Sequence, residues 1–311
     1  MVRLILLGLI SGMFFSSTFI LNRAMSLEGG HWVWSGCLRY LYMIGFLMIA
    51  LPIFQGRAAA KELWSLYIRH WVFWTLAGSI GFGGFYSLIC FSADHAPGWV
   101  IATTWQLTIL ASLIVLMGFG RTFPLRIWGF SLLVFLGVLM VNLTQAAQTD
   151  LKQLIMGGLP VLVAAFCYPI GNQLVWETQA GKRRLPRVQS NPCLENPFNK
   201  VLLLSIGSLP FWGILVLIVA PPAPSAGQLT STALVAVFSG IIATSLFLFA
   251  RSRATTAAEL AAVDATQSSE VIFAIAGEIV FLHAPIPGLA AVAGVVLMCV
   301  GLFLFVRYQQ L

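Results

Sequence analysis

The chain has 311 residues, 59% of them hydrophobic and 9% charged, with a formal net charge of +7. A soluble domain carries about 25% charged residues, and so apolar a chain has too little polar surface to cover a core, which excludes an ordinary soluble enzyme and a disordered chain. The positive balance does not mark a nucleic-acid partner, because the densest basic run, Lys182-Arg183-Arg184, is too short for such a patch.

A membrane-spanning helix takes roughly 20 apolar residues. In chain order, apolar runs near that length cover Leu4–Leu21, Trp32–Leu51, Trp71–Phe91, Gly98–Phe119 and Leu125–Leu143. Five more cover Leu154–Trp176, Val201–Ala220, Ala233–Ala250, Leu260–Leu282 and Gly288–Val306. Lipid offers backbone groups no hydrogen-bonding partner, so continuous runs of this kind predict helices. The expected fold class is therefore all-α and polytopic, with ten transmembrane helices in one integral membrane domain. Met1-Val2-Arg3 ahead of the first run has the form of a signal peptide, but a second copy of the pattern mid-chain makes this run a first span.

Basic residues mark cytoplasmic loops. With the N-terminus inside, fourteen of the 17 basic residues fall in inside segments, among them Arg57, Arg121 and Arg251. Outside segments hold only Arg23 and Lys152, and Arg39 lies within the second span. Both termini and the basic connector Lys182–Arg187 are then expected to be cytoplasmic.

Cysteines and histidines point to no further chemistry. Four of the five cysteines, Cys37, Cys90, Cys167 and Cys299, sit inside apolar runs and read as small buried hydrophobes. The four histidines lie at span edges or in loops without metal-ligand spacing. There is no phosphate loop, so no ATP hydrolysis, no metal and no cofactor are expected, and the chain is not read as an enzyme.

The chain repeats itself. Shifted by 150 residues, Gly8 meets Gly158, Ile20 meets Ile170 and Asn22 meets Asn172; shifted by 161, Arg39 meets Lys200 and Gln106 meets Gln267. Two five-helix repeats follow, residues 1–150 and 151–311. An odd number of spans per half turns the second half upside down, and inverted repeats place a binding site near midplane between the halves.

These features resemble the drug/metabolite transporter superfamily, and within it the multidrug resistance efflux transporter branch. The residues carrying the resemblance are Gly12-Met13-Phe14-Phe15-Ser16-Ser17-Thr18-Phe19 leading to Asn22, and Trp34-Ser35-Gly36-Cys37-Leu38-Arg39-Tyr40. They continue in Ala102-Thr103-Thr104-Trp105-Gln106-Leu107-Thr108, Ala265-Thr266-Gln267-Ser268-Ser269-Glu270-Val271-Ile272-Phe273 and Gly277-Glu278. The resemblance covers nearly the whole chain and implies a secondary transporter of the bacterial cytoplasmic membrane, working by alternating access. It implies export of small amphipathic or cationic compounds; a metabolite such as an amino acid is the alternative cargo, and a non-transporting scaffold the second alternative. Protons are a candidate coupling ion, and a monomer is compatible with the sequence. Small four-helix exporters of the superfamily carry protons on a first-helix glutamate, whereas no acidic residue occurs in the first span here.

Ionisable groups inside spans cost about 2.5–3.5 kcal/mol each on insertion scales, which makes the few present here functional suspects. At 100° per residue, Asp264, Gln267, Val271 and Glu278 fall within about 60° on the ninth helix, with Glu270 about 60° beyond Gln267. This stripe is either a packing network or one wall of a pathway. Glu270, near mid-span, is the candidate proton or cation site, with Asp264 next. Arg39, roughly 10 Å into the second helix at 1.5 Å per residue, completes the coupling group with Glu270 and Asp264, and either snorkels, pairs with a carboxylate such as Glu270 or Glu278, or binds substrate directly. Trp105, Gln106 and Gln267 are the candidate midplane substrate contacts, with Asn22, Asn172 and Tyr86 beside them. The expected cavity is lined by the first, third, fourth, sixth, eighth and ninth helices.

Overall fold

A computed structural model describes residues 1–147, 149–179 and 191–308. Ten of its helices are long and apolar enough to cross a membrane. In chain order they are Val2–Leu27, Trp32–Phe54, Trp71–Ser92, Gly98–Gly118 and Leu125–Ala146, then Leu151–Thr178, Pro197–Val219, Ala226–Arg253, Ala262–Leu282 and Leu289–Tyr308. No strand occurs among the described residues. The sequence-predicted runs and these spans match one for one, because hydrocarbon leaves the backbone no alternative to helix. The connector Lys182–Arg187 lies outside the described residues.

Helix starts are written locally. Asn196 accepts from the Phe198 N–H at 3.0 Å ahead of Pro197, and Ser225 accepts from the Gln228 N–H at 3.1 Å. Thr256 accepts from the Glu259 N–H at 3.1 Å while the Glu259 carboxylate reaches back to the Thr255 N–H at 2.9 Å. Each cap satisfies donors that a helix start leaves open.

One connection differs from the expectation of a loop. Gly56–Arg69 between the second and third spans is a helix of 14 residues. It runs through Ala58-Ala59-Ala60-Lys61-Glu62-Leu63, all but the last charged or small strong helix formers, so propensity supports it. Leu63 and Leu66 are buried, whereas Trp64 and Ile68 stand exposed. It is too short and too polar for the apolar-run criterion to detect.

The spans pack in matched pairs. The first packs on the ninth as the sixth does on the fourth; the first on the eighth as the sixth on the third; the second on the eighth as the seventh on the third. The fourth also meets the ninth, and the fifth the tenth. Exchanging the two halves leaves this set of neighbours unchanged.

Glycines set how close some of these pairs come. A Cβ on Gly81 would lie 2.9 Å from the Gly171 Cα, so the third and sixth spans touch backbone to backbone. A Cβ on Gly137 would lie 2.5 Å from the Gly294 carbonyl oxygen, and one on Gly301 2.7 Å from the Val134 nitrogen, which closes the fifth span onto the tenth. In lipid, where apolar side chains gain little from meeting one another, such close approach drives association.

Four spans are irregular, in two equivalent pairs. The third widens to a π-helix at Ser79–Gly84 and the eighth at Ala236–Ala243. The fourth breaks after Trp105, restarting at Thr108, and the ninth tightens to a 3-10 turn at Thr266–Ser268. The two breaks coincide under the shift of 161 that carries Gln106 onto Gln267.

Candidate functional site

Both breaks open onto one cavity. It encloses about 290 Å³ and its wall includes Trp105, Gln106, Arg251, Asp264, Gln267 and Glu270. That volume equals roughly ten waters at about 30 Å³ each, which suits a small solute. The walls come from the fourth, eighth, ninth and tenth spans, the last through Leu302, Phe305 and Val306. The expected lining is corrected on this point. The first, third and sixth spans give it no residue: Gly8 and Gly12 of the first close on Thr266 and Ser269 of the ninth, Gly81 of the third closes on Gly171 of the sixth, and the tenth lines the cavity instead.

The ninth span's face also differs from the 100° reckoning. In a 3-10 turn, side chains at i and i+3 eclipse. The turn at Thr266–Ser268 therefore swings Glu270 under Gln267 and Asp264, and all three reach the same cavity. Glu278, which the straight-helix reckoning grouped with them, is elsewhere. It is 1% exposed, and its carboxylate accepts from the Gly98 N–H at the start of the fourth span. An acceptor at a helix N-terminus satisfies an open donor and complements the dipole, so Glu278 is a cap and not part of the cavity wall.

Exposure falls along the cavity. Arg251 shows 42% of its side chain and meets Asp264, 17% exposed, at 2.9 Å. Glu270, deeper, is 7% exposed. The mouth therefore lies at the Arg251 end. A neighbouring hollow of about 440 Å³, which Arg121 and Trp176 help to line, shares Leu116 and Phe123 with it. Arg251 as Asp264's partner escaped the sequence reading, which placed it in a loop; the signal was there, since both sit where the eighth span hands over to the ninth.

Glu270 has no counter-ion. Among the described residues no cation lies within 4.0 Å of it and no donor bonds its carboxyl. The expected pairing of Arg39 with Glu270 or Glu278 is therefore a correction. Arg39 donates instead to the Thr18 hydroxyl at 3.3 Å and the Ser239 hydroxyl at 3.2 Å, and its guanidinium lies 4.1 Å over the Tyr86 ring. The aromatic face takes up part of the charge that a carboxylate was expected to meet.

The remaining candidates divide. Asn22, 3% exposed, donates to the Tyr86 hydroxyl at 3.1 Å, and Tyr86 is fully buried. This pair positions Arg39 and does not line the cavity. Asn172 lies beside the Tyr168 hydroxyl. Trp105 packs on Phe85 at 4.8 Å and on Tyr168 at 5.7 Å between ring centroids, extending an aromatic wall behind the cavity. Of the predicted residues, Trp105, Gln106, Gln267, Glu270 and Asp264 share the cavity, while Asn22, Asn172, Tyr86 and Arg39 stand behind it.

Comparison with known sequences adds an independent finding. The profile of a protein family described as "EmrE: Putative multidrug resistance efflux transporter" matches residues 2–311. A Bacillus subtilis (strain 168) protein named "Uncharacterized protein YjlA" is 36% identical over 328 aligned positions, covering 99% of this chain and 95% of that protein. A Shouchella clausii protein, "Uncharacterized 42.1 kDa protein in intracellular alkaline protease 3'region", is 35% identical over 267 positions, 81% of this chain and 65% of its own length.

Proposed function

The chain belongs to the multidrug resistance efflux transporter family, and from that premise we propose that it exports small amphipathic or cationic compounds by alternating access, as a secondary transporter. One observation carries the reading. Two broken helices, equivalent under the internal repeat, meet at a cavity that holds an unpartnered carboxyl, Glu270, beside Gln106, Gln267 and Trp105. A buried carboxylate without a counter-ion is a place for a cation, either the substrate's or a proton. Broken spans at midplane with polar groups at the break recur as transporter binding sites.

The matched packings and paired irregularities support two inverted repeats, residues 1–150 and 151–311. The basic-residue bias supports cytoplasmic termini in a bacterial cytoplasmic membrane, and with that orientation the Arg251 mouth faces the cytoplasm. Asp264, held by Arg251, lies at the entrance, and Glu270 couples substrate to protons. A single chain supplies the whole cavity, so a monomer suffices.

Glu270→Gln tests the assignment, since it keeps the shape and removes the charge. In reconstituted vesicles, proton-gradient-driven transport falls sharply while gradient-independent exchange persists. Unchanged pH dependence in Glu270→Gln makes Glu270 structural and moves the coupling role to Asp264.

A further inference from the structure

The helix Gly56–Arg69 plays no part in the cavity, yet it has three faces of different character. At 100° per residue, Ala59, Ala60, Leu63, Leu66 and Tyr67 fall on one side. They are its covered residues, and they set it against the second, third and seventh spans. Glu62, Ser65 and Arg69 form a second, polar side. Arg57, Lys61, Trp64 and Ile68 fall within about 60° on the third, roughly 130° from the covered side, and all four are exposed.

This third stripe is basic and apolar at once. Trp64 is 52% exposed and stacks on Tyr67 at 5.8 Å between ring centroids. Neither Arg57 nor Lys61 meets a carboxylate within 4.0 Å among the described residues. Glu62, the helix's one carboxylate, lies beside Cys193 instead. Gly56 takes a φ of +86°, which glycine adopts without strain, and turns the chain out of the second span. Phe54, 85% exposed, ends that span and exposed Trp71 opens the third, so the lipid-facing surface of both spans continues into the stripe. A helix with such a stripe lies in the headgroup plane, its long basic stems along apolar surface and their charges at the phosphates. Residues 220–225, which join the seventh span to the eighth, form no helix, so one half alone carries the feature. With the orientation proposed above it lies at the cytoplasmic leaflet, which has a negative surface potential.

We propose that the Arg57, Lys61, Trp64 and Ile68 face is a binding site for anionic phospholipid, the two cations holding phosphate oxygens and the two apolar side chains entering among the acyl chains. The site is tied to the bundle. The Gln55 amide, just ahead of the helix, exchanges hydrogen bonds with the Asn199 amide at 3.0 Å each way, and Asn199 lies at the start of the seventh span. Lipid therefore grips the first half at a point joined to the second. Such binding is independent of the cargo and of transport.

The test is native mass spectrometry of the purified, delipidated full chain, titrated in detergent with dioleoyl phosphatidylglycerol or dioleoyl phosphatidylcholine. Each basic residue at an anionic lipid surface is worth about five-fold, so the first phosphatidylglycerol binds about thirty-fold more tightly than phosphatidylcholine. Arg57→Gln and Lys61→Gln each cut that preference about five-fold, and together they abolish it. Arg69→Gln, an equal loss of charge on the polar side, leaves it unchanged. Trp64→Ser with Ile68→Ser weakens both lipids alike. All five positions are exposed, so these variants keep the fold. The inference is overturned if the preference survives loss of Arg57 and Lys61, or falls as far in Arg69→Gln. It is also overturned if the wild type is a dimer that the Trp64 and Ile68 variant loses, since a second copy then covers the stripe. A chain that binds phosphatidylglycerol in this way and moves no solute sinks the export reading alone and leaves the lipid site standing.

Discussion

Glu278 allows a quantitative prediction about stability. The residue is 1% exposed and one carboxylate oxygen receives the Gly98 N–H, while Oε2 is buried without a hydrogen bond. Glu278→Ala strips one buried donor of its acceptor. At about 1–3 kcal/mol for an unsatisfied buried group, the cost is about 1–3 kcal/mol. Glu278→Gln keeps an acceptor oxygen and loses only the charge, which contributes about 1–2 kcal/mol at a partly buried helix start. Gly98→Ala strikes the same joint from the other side, since its Cβ would lie 2.5 Å from the Phe19 carbonyl oxygen and 2.8 Å from the Glu278 carboxylate. Reversible unfolding of the purified protein in mixed micelles with increasing dodecyl sulfate measures all three. The expected order is Glu278→Ala worst and Glu278→Gln mildest, with the Gly98→Ala and Glu278→Gln double variant losing less than the sum, because the two share one contact. If Glu278→Ala costs under about 0.5 kcal/mol, the size of a surface change, the capping account is wrong.

Three further outcomes follow from the same structure. Gly81→Val or Gly171→Val wedges the third and sixth spans apart where their backbones touch, costing about 1–3 kcal/mol in the same micelle assay; a neutral result at both places refutes the close approach. Asp264→Asn releases Arg251 at the cavity mouth, and at 42% and 17% exposure the pair contributes no more than about 1 kcal/mol; stability is expected to hold while transport rate and its salt dependence change, and an unfolded variant contradicts this. Trp105→Ala and Gln267→Ala remove cavity wall and polar contact, so half-saturation for transport rises by about tenfold while dodecyl sulfate resistance stays near wild type; a change in stability without one in transport reverses their roles.

The spans were legible because hydrocarbon permits one backbone solution, and a run such as Leu289 to Tyr308 has no second reading. The amphipathic helix Gly56–Arg69 was not, since apolar run length is blind to a helix that lies outside the spans. In the site, Trp105, Gln106, Gln267 and Glu270, singled out by residue type, line one cavity. Their grouping failed at one place for a geometric reason. A fixed 100° step cannot foresee a 3-10 turn, and three residues of tighter winding moved Glu270 onto the Asp264 face and separated Glu278 from it. The Arg39 pairing failed because opposite charge in one bundle was taken for contact, whereas the neighbours that reach Arg39, namely Thr18, Ser239 and the Tyr86 ring, are uncharged and scattered over three spans.

The glycine contacts between the fifth and tenth spans carry a mechanical consequence. At Gly137, Gly294 and Gly301 main chain rests on main chain, with no side chain between to bend or change rotamer. A joint of that kind resists parting and sliding, since either opens a void that nothing nearby can fill. The third and sixth spans meet in the same way where Gly81 faces Gly171. A short cross-link placed across either joint is then expected to leave the helix packing as it is.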